Sequence, residues 1–550
     1  MASKDNTSFD DGDVPRRFAN FQPSAWGDYF VSYDSNTMEN QLEEKMTQKQ
    51  LQKLKEEVMN MFVTTDKSSE KLRLIDSIQR LGLSHHFELE INETLQLIQS
   101  SSDDDDDIYN IALKFRLLRQ EGYSISSEIF NKFINEEGEF KESIMKNKSG
   151  ILSLYEASHL RMNGEYTLDQ ALRFTTTHLQ EIAMDDSSPL VDEAKHALKW
   201  PIYKAVPRLM TKHYISVHHK DRPNSVLLTF AKLDYTTTQK LYQKELGQHA
   251  RWWKQLNLIE RLSFARDRAV ESYFWALGVY YEPNYSVGRM ILAKIIALAT
   301  VLDDMYDVYA TLDELDLFTE AIERWDINGM EKLPEYMKIF YEVILKTYEE
   351  FEEDMSKDII TYAIHYAKEA FKRQCRVYFI EAKWYHEGYV PTMEEYMEVS
   401  VVSTCYYLFA PISFLGMGVA ASEEAFKWIE SDPMMLKASG IIGRLMNDIT
   451  SHKFEQERGD VGSAVECYMK QHGVSEEETL VALENEVVRA WKDVIEDYMK
   501  SSNISKEICM RVLNLARLSD RFYKEEDGYT FADGTTKCFI ASTLVDPVPI

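Results

Sequence analysis

The stretch from Met434 to Asp546 contains no proline, and this constrains the fold more than any other feature of the chain. Proline inside a helix removes a hydrogen bond and clashes with the preceding turn. A section this long without one is free to run as extended helices. The whole chain of 550 residues has only 21 glycines and 13 prolines, whereas strand-and-turn architectures need more of both. Apolar residues also recur at helical spacing. In DIYNIALKFRLLRQEGY, Ile108, Ala112, Phe115 and Leu118 are separated by three or four positions. The expectation is an all-α protein. Its length exceeds one ordinary domain, and the polar, proline-bearing HHKDRPNS at residues 218–225 reads as a break. We expect a loose tail over residues 1–20, an N-terminal helical domain over 21–225 and a second helical domain over 226–550. No fixed-period repeat is present.

Composition excludes several function classes. A net charge of −29 opposes binding to nucleic acid or anionic membranes, both of which call for a basic surface. The hydrophobic fraction of 44% fills real cores. Five scattered cysteines (Cys375, Cys405, Cys467, Cys509, Cys538) form no CxxC pair, which speaks against a disulfide framework or zinc site and for a reducing compartment. No unbroken apolar run approaches the roughly 20 residues of a membrane span. The N-terminus is acidic and lacks an apolar signal core, so the expected location is the cytosol and the expected state a monomer. Asp103 to Asp107 match the DxDD pattern of protonation-initiated cyclases. Five adjacent acids after Ser100, Ser101 and Ser102 nevertheless read as a solvated loop, since a general acid must be buried with a raised pKa.

The chemistry-bearing stretch is MILAKIIALATVLDDMYD, residues 290–307. Leu292, Ile295, Ala299 and Leu302 share a helical face, and the helix ends in Asp303, Asp304 and Asp307. Asp303 and Asp307 stand one turn apart on one face, with Asp304 about 100° away. Paired carboxylates on an apolar helix repel and are costly to desolvate, and a bound cation removes both penalties. Hard oxygen donors suit Mg²⁺ completed by substrate phosphate. Taken alone, the triplet fits an acidic, exposed helix end equally well. A second cluster shifts the balance: Asn447, Ser451 and Glu455 at i, i+4 and i+8 line one stripe, and Arg444 on the same stripe is placed to grip a phosphate. A third is Arg266-Asp267-Arg268, followed by the aromatic-rich run to Trp275.

These motifs, DDxxD (Asp303, Asp304, Asp307), the NSE type (Asn447, Ser451, Glu455) and RxR (Arg266, Arg268), resemble those of plant class I terpene synthases. The resemblance covers nearly the whole chain. Arg16-Arg17 is followed after eight residues by Trp26, and FRLLRQEGY, LYEASHLR, RWWK, ERWD, EAKWYHEGY and Asp527-Gly-Tyr529 come in order. The pattern is most similar to angiosperm sesquiterpene synthases. It implies a helical N-terminal (β) domain, a catalytic (α) domain and three Mg²⁺ ions, for which Mn²⁺ can substitute. Two ions fall to the aspartate motif and one to Asn447, Ser451 and Glu455. The expected reaction is ionisation of farnesyl diphosphate and cyclisation of the carbocation. Arg266, Asp303, Asp307, Arg444 and Asn447 would bind the diphosphate. Arg268, Trp275, Asp527 and Tyr529 belong to the same expected machinery, with Tyr406 and Phe522 as further cation-facing aromatics. Tandem arginines before the tryptophan also occur in monoterpene synthases, so geranyl diphosphate is the alternative substrate. A chain-elongating prenyl synthase would need a second aspartate-rich motif in place of Asn447-Asp448-Ile-Thr-Ser451. A non-catalytic helical scaffold would have no reason to keep all three motifs.

Overall fold

The computed structural model describes residues 16–19, 21–33, 38–101, 107–221, 225–354, 357–458, 462–501 and 503–548. Side chains are outside this description at 38–43, 219–221, 354, 357–361, 454–455 and 457–458. The described residues are helices and connections, with one isolated bridge between Ile134 and Phe140. Asp103, Asp104, Asp105 and Asp106 lie outside the described residues. Asp107 precedes the helix Ile108–Gln120, on which Ile108, Ala112, Phe115 and Leu118 are all buried as their spacing requires.

In the N-terminal half, Ile108–Gln120, Lys148–Ser158, Tyr166–Met184 and Val191–Lys199 pack in sequence order, Ser68–Arg80 packs on Ile108–Gln120 and Pro207–Asp221, and Met38–Thr64 packs on Val226–Leu256. The stretch read as a break continues as helix to Asp221. The 31-residue helix Val226–Leu256 then starts at Ser225, whose hydroxyl accepts from the Leu228 N–H. This helix packs on both halves, and one apolar core runs from Phe30 to Leu544. In the C-terminal half, capping boxes at Thr311/Glu314, Thr392/Glu395, Ser463/Glu466 and Ser475/Glu478 fix where helices begin.

The helix Ser286–Asp304 runs through the centre, and Leu292, Ile295, Ala299 and Leu302 are among a nearly continuous buried surface. A Cβ on Gly416 would fall 2.1 Å from the Gly288 Cα, so Gly416 is needed where the two backbones touch, while a Cβ on Gly288 would fall 2.8 Å from the Tyr280 hydroxyl. Two helical stretches, Pro283–Tyr309 and Met393–Leu415, are apolar enough by length and composition to cross a bilayer, with mean hydropathies of 1.6 and 1.3. That corrects the reading of unbroken runs, which stop at charges such as Arg289. Those windows are 78% and 83% buried inside the protein, and Arg289 is itself paired with Glu245 at 2.8 Å. Cys375, Cys405, Cys467 and Cys509 are buried, Cys538 is exposed, and all five are free thiols.

Candidate active site

Three helices converge on a cavity of about 300 Å³. Asp303 and Asp307 enter it from the end of Ser286–Asp304, Asn447 and Ser451 from Met434–Arg458, and Glu381 from Lys357–Glu387. Asp303 and Asp307 from one predicted stripe and Asn447 and Ser451 from the other therefore face one space. The α-helix stops at Asp304, and Met305–Tyr309 continues as a π turn. This corrects the expectation of one regular helix through Asp307, because the wider turn offsets residue 307 from residue 303. Asp307 is exposed at the mouth and Asp303 half-buried. Glu455 continues the backbone of the second helix, but its side chain lies outside the described residues.

Asp304 turns away from the stripe. It is 1% exposed; its Oδ2 accepts from the Arg266 backbone N–H at 2.7 Å, and its Oδ1 lies 2.8 Å from the guanidinium Nε. Burial pushes this carboxyl up to about 7, with the Arg266 charge pulling it down. The rest of the guanidinium pairs with Asp303 and donates to Thr530 Oγ1 at 3.3 Å. Arg266 thus spans the aspartate motif and the loop after Asp527. Arg444, expected free for phosphate, is already engaged. It donates to Asp448 Oδ1 at 3.0 Å, and to the Ser400 carbonyl and Ser403 Oγ at 3.3 Å each, although it still lines the cavity.

Arg268 departs furthest from expectation. It is 2% exposed and lies outside the cavity lining. It donates to the carbonyls of Tyr529 at 3.0 Å, Thr530 at 2.7 Å and Gln22 at 3.3 Å. Its position is that of a pin between two loops. Asp527 holds the same loop from within, accepting from the Tyr529 and Thr530 N–H groups at 3.1 and 3.0 Å. The tandem arginines also fasten a segment. Arg16 pairs with Glu314 at 2.8 Å, and Arg17 lies 4.1 Å over the Tyr385 ring and donates to the Asp307 carbonyl.

Beneath the carboxylates the wall is aromatic. Trp275, Tyr406 and Tyr529 line the cavity, while Phe522 stacks behind Trp275 at 4.8 Å and 19°. Tyr529 shares a 2.7 Å hydrogen bond with Thr300, and Tyr406 donates to the Leu515 carbonyl at 2.9 Å. Both hydroxyls are occupied, which leaves ring faces and edges toward the space. Sequence reasoning assigned no role to Glu381, whose Oε1 accepts from Ser403 at 2.6 Å and whose carboxyl burial pushes up to about 7, against the Arg444 charge. It also missed Asp448, buried between Tyr396, Arg444 and the Ala464 N–H. The signal for Glu381 was an acid among Tyr378, Ala382 and Tyr385 on one helical stripe.

The comparisons agree with this geometry. Residues 25–198 match the terpene synthase N-terminal domain, and residues 254–493 match the terpene synthase family metal binding domain. A (−)-germacrene D synthase from Vitis vinifera is 51% identical over 98% of this chain and 97% of its own. Sesquiterpene synthase 2 from Toona sinensis is 47% identical over 98% of both. Among solved structures, limonene synthase with 2-fluorolinalyl diphosphate superposes with a TM-score of 0.90 at 31% identity, covering 97% of this chain and 100% of that one. Isoprene synthase from grey poplar, in complex with three Mg²⁺ ions and dimethylallyl-S-thiolodiphosphate, gives 0.86 at 34% identity, covering 92% and 98%. Two donor stripes over an aromatic cavity, in a chain that matches these models and relatives over nearly its whole length, place it in the terpene synthase family.

Proposed function

We propose that this enzyme ionises farnesyl diphosphate and closes the resulting cation to a cyclic sesquiterpene, with release of diphosphate. The observation that carries the reading is the layering of the site, with oxygen donors and arginines at the mouth and ring faces below. Relatives at 51% and 47% identity bear sesquiterpene synthase names, which favours the farnesyl over the geranyl substrate. The donors fit a hard divalent cation: carboxylates at Asp303 and Asp307, an amide at Asn447 and a hydroxyl at Ser451, all facing one space. We assign three Mg²⁺ ions, replaceable by Mn²⁺, to these residues and Glu455. When bound, the ions neutralise the diphosphate and stabilise it as a leaving group.

The chain's own residues do the rest. Arg266 is held by Asp303 and Asp304 at the mouth, where it can take up a phosphate oxygen as the substrate draws Asp303 away. Arg444 is aimed from the opposite helix through Asp448 and Ser403. The cation left behind must not meet water, and Trp275, Tyr406 and Tyr529 offer it π density worth about 0.5–2 kcal/mol per ring. We read residues 21–225 as the supporting domain, residues 226–550 as the catalytic one, and the working enzyme as a cytosolic monomer. Gas chromatography of products from farnesyl and geranyl diphosphates, with and without Mg²⁺, tests the function. Cyclic C15 products that require Mg²⁺ are expected. Turnover of geranyl diphosphate alone would instead make this a monoterpene synthase.

A further inference from the structure

A second polar cluster lies away from the cavity, where the N-terminal helices meet Val226–Leu256. Asp234 projects from that helix and is 4% exposed. Facing it, the turn Ser84–His86 presents two adjacent imidazoles whose ring centroids are 4.1 Å apart. His86 Nε2 is 2.8 Å from Asp234 Oδ1, and His85 Nε2 is 3.5 Å from the same oxygen. One ligand atom from each residue falls within 4.8 Å of the other two.

The cluster is incompletely satisfied as a hydrogen-bond network. The His85 side chain is only 10% exposed; its Nδ1 makes no hydrogen bond among the described residues, and its Nε2 has only the 3.5 Å contact with Asp234. A buried ring nitrogen left unmet carries a cost. Both Nε2 atoms and Asp234 Oδ1 converge on one point, the arrangement a shared cation takes. The surroundings choose the cation. Arg208 Nη1 stands 3.9 Å from Asp234 Oδ2, so the carboxylate charge is largely balanced before any metal arrives. Hard ions such as Mg²⁺ and Ca²⁺ want several anionic or neutral oxygens, which this cluster lacks. Two imidazoles and one carboxylate oxygen are a donor set for Zn²⁺ and its neighbours. Phe230 lies against His86 at 4.9 Å and the Tyr281 ring edges on His85 at 6.4 Å, an apolar shell that limits water.

We propose that His85, His86 and Asp234 form a transition-metal site, of Zn²⁺ type, that ties the N-terminal helices to the helix Val226–Leu256. A clamp there closes a long loop of chain and acts on stability, independently of the diphosphate site.

The test uses the full-length chain carrying Asp303→Ala and Asp307→Ala, so that those carboxylates take up no zinc. The protein is dialysed against micromolar zinc sulfate with excess Mg²⁺, and metal is counted by plasma mass spectrometry. About one zinc per chain is expected to remain, with a thermal midpoint that rises with zinc. Adding His86→Ala should abolish both effects. Because that change also breaks the 2.8 Å bond to Asp234, His85→Ala serves alongside it, since His85 makes only the longer 3.5 Å contact with that carboxylate. It should weaken zinc retention at least about tenfold while leaving the circular dichroism unchanged. Retention of no zinc by the parent, or equal retention by a folded His85→Ala variant, would overturn the proposal.

Discussion

Asp304 grips Arg266 at two points, taking the backbone N–H at 2.7 Å on one carboxylate oxygen and facing the guanidinium Nε at 2.8 Å with the other. The middle acid of the motif therefore sets the arginine, while its neighbours face the cavity. Asp304→Asn keeps a hydrogen-bond acceptor but loses the charge. It should lower kcat/KM by roughly 10–100-fold, the range for removing a partner that orients a ligand. Asp303→Ala or Asp307→Ala should lower it further and raise the Mg²⁺ concentration needed for half-maximal rate. Equal Mg²⁺ dependence in all three variants would contradict this division.

Arg268 predicts a different phenotype. Arg268→Ala strands the carbonyls of Gln22, Tyr529 and Thr530, at about 1–3 kcal/mol for each one left unsatisfied. We expect a lower thermal midpoint and a larger share of alcohol products, because the loop carrying Tyr529 loosens and water enters. Lysine should not restore the wild-type profile, since it lacks the planar fork. A drop in rate with unchanged midpoint and products would instead place Arg268 at the diphosphate.

Trp275→Leu keeps an apolar wall and removes the ring. Losing one cation–π contact costs on the order of 1–2 kcal/mol, about a tenfold change in partition between competing fates. The product mixture should shift toward acyclic compounds and alcohols, with a smaller effect on diphosphate release. An unchanged profile at a uniformly lower rate would make Trp275 a packing residue only.

Glu156 offers a pH test remote from the cavity. It is 2% exposed, its Oε2 accepts from the Ile202 N–H at 2.8 Å, and burial pushes its carboxyl up to about 7. The folded state thus favours the protonated acid more than the unfolded chain does. That contribution is complete below the ordinary carboxylate pKa and is lost as pH rises through about 7. Between pH 4.5 and 8 the wild type should lose stability relative to Glu156→Gln by at most on the order of 3 kcal/mol. Denaturant titrations at several pH values check this, and a constant difference would refute it.

Much of the site was legible because helices convert spacing into position. Asn447 with Ser451 needed only the 3.6-residue repeat to be placed on one face, and Asp303 with Asp307 reach the same cavity although the turn between them is wider than that repeat. The π turn at Met305–Tyr309 was not legible, since no residue there breaks the helical pattern, and the widening depends on what packs against it. Arg268 and Arg444 show a related limit. An arginine in a motif reads as a free ligand, but how much of its fork is held by the protein depends on partners far along the chain, such as Tyr529 for Arg268 and Ser403 for Arg444. Asp448 was overlooked because its partners, Tyr396 and the Ala464 N–H, flank it in space and not in sequence.

The Arg268 pin also dictates an order of assembly. Its three carbonyl partners lie at Gln22 and at Tyr529–Thr530, about as far apart in the chain as two loops can be. During synthesis the helices that carry the oxygen donors are complete well before residue 529 leaves the ribosome, whereas the pin closes only afterwards. A nascent or C-terminally clipped chain would therefore carry both donor stripes beneath an unfastened roof. Ionisation begun in that state would deliver its cation to water, so proteolytic cleavage ahead of Tyr529 should convert the cyclase into a leaky hydrolase before it abolishes diphosphate release.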